Sequence, residues 1–170
     1  MKSISLKFVV LAIVFLFVQI SEAEEGCVKM GATIEETKNA FNSDGNANIV
    51  LDTTWGDHSE HTSIVFSKAC NYDYPVKFEK TICYFHNGKL KFIRMLKESY
   101  ADLQDAVEDA KNMEKYIDNH VKLPVYGQPG AETEKCAYIT TWWIFDSPVT
   151  LQIVVFKDKS LMYSYDDTRF

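Results

Sequence analysis

The chain has 170 residues, a formal net charge of −6 and an aromatic content of 14%. A negative surface of this kind repels phosphate backbones, and no basic stretch interleaved with aromatic residues is present. We therefore do not expect nucleic acid as a partner. The length is enough for a single core that needs neither a metal nor a partner chain.

The first 23 residues have the order of a secretory signal peptide. Two lysines and no acid precede an unbroken apolar run at 8–18, and Ser21 and Ala23 supply the small residues of a cleavage site. A bilayer-spanning helix needs roughly 17–25 apolar residues, so this run is too short to be an anchor. We predict cleavage before Glu24, a secreted or periplasmic location, and one exported α+β domain comprising residues 24–170.

The mature chain begins with a short helix and continues with strands. Thr33 is a candidate N-cap, and Glu36 completes the spacing of a capping box. The polar segment 42–46 ends the helix, since Gly and Asn tolerate a left-handed turn. Strand-like runs follow at 49–55 and 62–68.

A hairpin is predicted around Asn87 and Gly88, because both residues of a tight two-residue turn require positive φ. A two-residue loop fixes the register and sets Tyr84 opposite Lys91. Continued along the hairpin, this register predicts one inward face made of Cys83, Phe85, Leu90 and Phe92.

The second half repeats the order of helix, then strands. A long helix is predicted over 100–120, capped by Ser99, and it ends before Pro124 and a loop at 126–129. Three antiparallel strands follow at 136–145, 149–156 and 161–165.

The resulting fold class is α+β, with a short helix plus antiparallel strands, then a long helix plus a three-stranded antiparallel meander. Two divergent helix-and-meander units sharing one sheet are one interpretation of this order, and a chain without an internal repeat is the other. The element order resembles that of the helix-and-antiparallel-sheet modules in bacterial β-lactamase inhibitor proteins and small outer-membrane assembly lipoproteins.

The four cysteines predict two disulfides, because an even count in an exported chain indicates an oxidised framework. A turn at 71–75 would bring Cys70 to the inward-facing Cys83. The remaining pair, Cys27 and Cys136, would then tie down the mature N-terminus.

One local cluster has metal-ligand chemistry: Asp57, His58, Glu60 and His61. Imidazole and carboxylate are ordinary ligands of divalent metals, but the spacing is no known ligand frame and the segment is typical of a solvated turn. We predict no metal there. Segment 42–48 lacks the distal glutamate of a calcium loop and is interpreted as a helix stop.

Motifs for catalysis are absent from the sequence: there is no phosphate loop, nucleophile elbow or zinc-protease signature. The sequence does not decide whether a Ser–His–Asp triad is present, because the members of a triad are adjacent in space and not in sequence. Trp142 and Trp143 are neighbours on a predicted strand, so they point to opposite faces and one of them is a candidate binding residue.

The sequence thus favours an exported binding or inhibitor-type module with a protein partner, and it predicts no catalytic, cofactor or metal residues. A small exported hydrolase and a structural accessory protein of the cell envelope are the alternatives. A pocket that gathers His, Ser and acids would favour the hydrolase. An open sheet that carries aromatic residues would favour the binding module. Co-purification with envelope proteins would favour the accessory protein.

Overall fold

The structure is a computed structural model, and it describes residues 28–42, 49–55, 61–67, 73–120, 125–130, 132–144 and 148–167. These residues form two helices, α1 (Ile34–Asn42) and α2 (Leu103–His120). They also form eight strands: β1 (Ile49–Trp55), β2 (His61–Phe66), β3 (Lys80–His86), β4 (Lys89–Lys97), β5 (Val125–Pro129), β6 (Cys136–Ile144), β7 (Val149–Phe156) and β8 (Leu161–Asp167).

All eight strands belong to one antiparallel sheet, in the order β1-β2-β3-β4-β8-β7-β6-β5. The last strand of each half, β4 and β8, therefore meet at the centre, and β1 and β5 are the edges. The fold is mixed α+β with mostly antiparallel sheet, which confirms the predicted class.

The capping box at the start of α1 is confirmed. The Glu36 carboxylate accepts hydrogen bonds from the Thr33 amide at 2.7 Å and from the Thr33 hydroxyl at 2.9 Å. In return, the Glu36 amide donates to the Thr33 hydroxyl at 3.1 Å. The two side chains thus accept hydrogen bonds from backbone amides that have no partner within the first helical turn. These hydrogen bonds fix the residue at which α1 begins.

Helix α2 begins three residues later than predicted, and Ser99 is not its cap. The Asp102 carboxylate accepts the amide of Gln104 at 2.9 Å and takes the capping role. Upstream, the Tyr100 amide donates to the Lys159 carbonyl, and the Lys159 ammonium donates to the Ala101 carbonyl. Long-range hydrogen bonds therefore hold this segment out of the helix, and sequence spacing does not reveal them.

The predicted turn is confirmed, because Asn87 and Gly88 have φ values of 50° and 70°. The register beyond it differs, since a β-bulge between Tyr84 and Phe85 inserts one extra residue in β4. Tyr84 consequently pairs with Phe92, where Lys91 was expected. The prediction that Phe92 faces inward was wrong, because a one-residue shift moves a side chain to the other face.

The segment predicted as a loop at 126–129 lies within β5, so the second half has four strands where three were expected. Gly127 pairs with Trp142, and Pro129 pairs with Thr140. Gly and Pro disfavour strand assignment, but an edge strand tolerates proline because one side of it carries no ladder.

Both helices pack on the same face of the sheet. The Phe41 ring of α1 stacks on Phe66 of β2 with a centroid distance of 3.8 Å. Helix α2 contributes four fully buried side chains to the same core: Ala106, Ala110, Met113 and Ile117. On the opposite face of the sheet, no described helix or strand is packed. No helix in the described part of the chain is long and apolar enough to cross a membrane.

Several sequence predictions concern residues outside the described ranges. These are the signal peptide at 1–23, the turn residues 57–60, and Cys27 and Cys70. Cys83 is fully buried in β3 and Cys136 is half-buried in β6. Three strands separate β3 from β6, a distance of roughly 19 Å at the usual strand spacing. A Cys83–Cys136 disulfide is excluded, whereas both predicted pairings stay predictions.

Candidate functional site

The face of the sheet that points away from the helices, called here the uncovered face, is built of side chains aligned in rows. Residues paired across neighbouring strands share a face, so each row follows from the register. The aromatic row contains Tyr84, Phe92, Asp166, Thr150 and Trp143. The arginine row contains Ile82, Arg94, Ser164, Gln152 and Thr141. The apolar row contains Leu96, Met162, Val154 and Ile139.

The two adjacent tryptophans divide between the faces, as strand alternation predicts. Trp142 is 3% exposed and belongs to the core, whereas Trp143 is 43% exposed on the uncovered face. At the other side of the aromatic row, the Tyr84 and Phe92 rings lie 5.0 Å apart. Phe92 reaches this row because of the bulge in β4. The uncovered face thus presents aromatic side chains from three strands.

Arg94 lies at the centre of the uncovered face and leans over the aromatic row. Its guanidinium carbon is 4.4 Å from the centroid of Phe92 and 5.3 Å from that of Tyr84. One Nη donates to the Tyr84 hydroxyl at a long 3.4 Å. The Nε is buried and has no hydrogen-bond partner among the described residues. The sequence interpretation missed this residue, because its contacts with Tyr84 and Phe92 depend on the bulge in β4.

Other polar groups on this face pair with one another. The Gln152 amide donates to the Thr141 hydroxyl at 3.1 Å, and the Thr53 and Ser63 hydroxyls are 2.8 Å apart. Val154, Met162 and Ser164 on this face are buried although no described helix or strand lies above them. The face therefore combines two hydrogen-bonded polar pairs and several buried side chains with an arginine whose Nε has no described partner.

Charge differs between the two sides of the sheet. Among the described strand residues on the uncovered face, Asp166 is the acid, and Lys80, Lys89 and Arg94 are basic, but the Lys80 ammonium is paired with the Glu98 carboxylate at 2.6 Å. Helix α2, on the opposite side, carries the acids Asp105, Glu108, Asp109, Glu114 and Asp118. The uncovered face is thus weakly basic in a protein whose net charge is −6.

Two histidines meet at one corner of this face. His61 on β2 pairs with His86 on β3, and their ring centroids are 4.8 Å apart. The sequence interpretation had grouped His61 with residues 57–60 and had not connected it with His86. No group of three metal-ligating side chains occurs within the described ranges. The prediction that the 57–61 turn binds no metal stays a prediction.

A depression of about 340 Å³ lies on the helix side of the sheet. It is lined by Lys97, Tyr100, Asp105, Glu108, Asp109 and Asn112. The Asp109 carboxylate accepts the Tyr100 hydroxyl at 2.7 Å and pairs with the Lys97 ammonium at 3.1 Å. Burial, with the hydrogen bond to Asp109, raises the pKa of Tyr100 far above its usual range. These groups satisfy one another, and this lining contains neither a serine nor a histidine for nucleophilic catalysis.

A second polar cluster joins α2 to β6. The Thr140 hydroxyl donates to the Glu114 carboxylate, and the Tyr138 hydroxyl lies near the same carboxylate. Burial is the first cause that raises the pKa of Tyr138 to about 12, and the interaction with Glu114 is the second. Because these residues lie on the core side of the sheet, they anchor the helix and are not part of the uncovered face.

Comparison with known proteins adds no functional information beyond this geometry. The chain matches no protein-family model, no curated protein and no solved structure.

Proposed function

We propose that the chain is an exported binding module that engages a protein partner through its uncovered face. The observation that carries the proposal is the aromatic row, with Trp143 substantially exposed beside a sheet surface on which no described element packs. Trp, Tyr and Arg are the residues most enriched at energetic hot spots of protein interfaces. All three types occur on this face, as Trp143, Tyr84 and Arg94.

The size of the face supports a protein-sized partner. Eight strands at about 4.8 Å spacing span roughly 34 Å, and their paired stretches of five to seven residues run about 20 Å. The flat area is therefore on the order of 700 Å², and side-chain relief increases the accessible area. A standard protein interface buries about 800 Å² on each partner, so the face is large enough for one.

We also propose that the sheet consists of two divergent helix-and-meander units. One unit would be α1 with β1–β4, and the other α2 with β5–β8. The strand order supports this interpretation, since each half is a four-stranded meander and the two final strands meet in the middle. Two such units side by side produce a broader sheet surface than either unit alone.

Within the described part of the chain, the hydrolase alternative has no comparable support. A hydrolase needs a nucleophile with its base in one concave site, and the depression on the helix side offers mutually paired acids, a lysine and a tyrosine. A structural accessory protein of the cell envelope would also bind other proteins, so this alternative is a special case of the proposed binding function. Capture of an envelope protein as the partner would favour the accessory role over other binding roles.

A capture experiment with matched variants tests the proposal. Protein recovered after export would be immobilised as wild type, Trp143→Ala and Glu108→Ala. Glu108 is exposed on α2, so its substitution removes a side chain from the opposite side of the molecule. Mass spectrometry of proteins from the native exported fraction should identify a partner retained by wild type and Glu108→Ala and lost by Trp143→Ala. Identical capture by all three proteins would contradict the proposal.

A further inference from the structure

We infer that Arg94 is the anchor of the uncovered face and receives the carboxylate of an aspartate or glutamate side chain on the protein partner. The inference rests on the proposed function and adds the chemistry that the partner must present. It predicts an acidic side chain set among apolar residues, because the arginine row lies between the aromatic row and the apolar row.

The first argument is that Arg94 lacks the partner an arginine in this position requires. Charged groups that are removed from water are normally paired, since their desolvation is costly, and the Nε of Arg94 is buried. None of the ion pairs among the described residues includes Arg94. Its hydrogen-bonding contact is one long bond to a tyrosine hydroxyl, and its Nε is buried without a partner.

The second argument is that the surroundings orient the guanidinium for recognition. Phe92 and Tyr84 hold it by cation–π contact, which restricts the rotation of a long side chain before any ligand arrives. Arginine presents its donors as a planar fork that matches the two oxygens of a carboxylate. A carboxylate bound beside Arg94 would accept hydrogen bonds from its guanidinium, including the buried Nε. Binding would thus remove the energetic cost of a buried donor without a partner.

The third argument is charge complementarity. The chain is acidic overall and α2 carries five acids, whereas Asp166, in the row next to Arg94, is the acid among the described strand residues of the uncovered face. Lys80 is paired with Glu98, so Arg94 is the cation of this face on which a carboxylate ligand would depend. The acids of α2 lie on the other side of the sheet, where they repel an anionic partner less strongly, and Arg94 would select a carboxylate at the centre of the face.

Selection from a random displayed-peptide library tests the inference without knowledge of the natural partner. Peptides would be selected on the wild-type protein, and then scored for binding to Trp143→Ala, Arg94→Met and Lys89→Gln. Peptides that depend on Trp143 should contain an aspartate or glutamate flanked by apolar residues. Their affinity should fall at least about thirtyfold with Arg94→Met, the loss expected when one partner of a desolvated charge pair is removed. Lys89→Gln, an exposed lysine on the same face, should change affinity only slightly.

Two further variants separate recognition from a structural role. Arg94→Met keeps much of the side-chain volume and removes the unsatisfied donor, so its thermal unfolding midpoint should equal or exceed that of wild type. Arg94→Lys keeps the charge but not the fork, and it should recover only a small part of the lost affinity. A lower midpoint for Arg94→Met together with unchanged peptide affinity would assign Arg94 a structural role and overturn the inference.

The outcomes distinguish failure of the inference from failure of the proposed function. Peptides that need Trp143 but lack an acid, or that bind Arg94→Met as well as wild type, would overturn the role of Arg94 and leave the binding face intact. Failure to select any peptide that depends on Trp143 would overturn both. Acidic peptides whose glutamate→glutamine versions bind equally well would also refute carboxylate recognition.

Discussion

Replacement of the two adjacent tryptophans by alanine should have opposite consequences for stability and binding. Trp142 is 3% exposed and lies in the core, whereas Trp143 is 43% exposed on the uncovered face. A buried aromatic side chain removes about 150–250 Å² from water, which is worth roughly 4–6 kcal/mol at 25 cal/mol per Å². Alanine retains part of this burial free energy, and the cavity left by the indole ring closes incompletely. Trp142→Ala should therefore lower the free energy of unfolding by about 3–5 kcal/mol.

Trp143→Ala should cost less than about 2 kcal/mol, because little more than half of its surface is buried and no closed cavity remains. Urea unfolding followed by far-ultraviolet circular dichroism measures both values without relying on tryptophan emission. In thermal unfolding, the Trp142 variant should melt roughly 6–20 °C below wild type. Trp142→Phe is the control that keeps an apolar ring in the core. Equal destabilisation by both alanine variants would refute the assignment of the two residues to opposite faces.

Three further local predictions concern the helix cap, export and an alkaline transition, and a fourth concerns the disulfides. Thr33→Ala should destabilise the protein by about 1 kcal/mol in urea unfolding through loss of the capping box, and Thr33→Ser should restore most of it. N-terminal sequencing of exported protein should begin at Glu24, and intact signal sequence in a membrane pellet would contradict this. Since the pKa of Tyr138 is raised from 10.0 to about 12, its contribution is complete below pH 10 and is lost as pH rises through about 12. Tyr138→Phe should reduce the alkaline loss of stability in pH-dependent unfolding, and the part due to Tyr100, whose pKa is also raised, should remain. Non-reducing peptide mapping should recover the two predicted disulfides, whereas four free thiols in exported protein would disprove them.

Features set by neighbouring residues could be predicted from the sequence. The capping box at Thr33 and the turn at Asn87 and Gly88 each depend on residues that are at most three apart, and both are confirmed. The antiparallel sheet also follows from local alternation, as in Leu151, Ile153 and Val155. Local patterns of this kind require no knowledge of what packs against them.

Features set by tertiary contacts could not be predicted. The bulge beside Tyr84 places the Phe92 side chain on the opposite face of the sheet from the one predicted. The pattern of apolar and polar residues in β4 does not indicate the extra residue. The start of α2 depends on hydrogen bonds to Lys159, which lies on the turn before β8. The candidate site shows the same division. Alternation alone predicts that Trp142 and Trp143 separate, whereas the importance of Arg94 depends on Tyr84 and Phe92 in a register that contains the bulge.

The uncovered face follows from a mismatch between the width of the sheet and the number of helices. A helix with side chains is about 10–12 Å across, so two helices cover roughly 20–24 Å of a sheet that spans about 34 Å. Both are used on one side, since Phe41 of α1 and Met113 of α2 belong to the same core. No described helix covers the other side. We propose that a protein partner covers part of it, because the ring of Trp143 is exposed there and the buried Nε of Arg94 has no described partner.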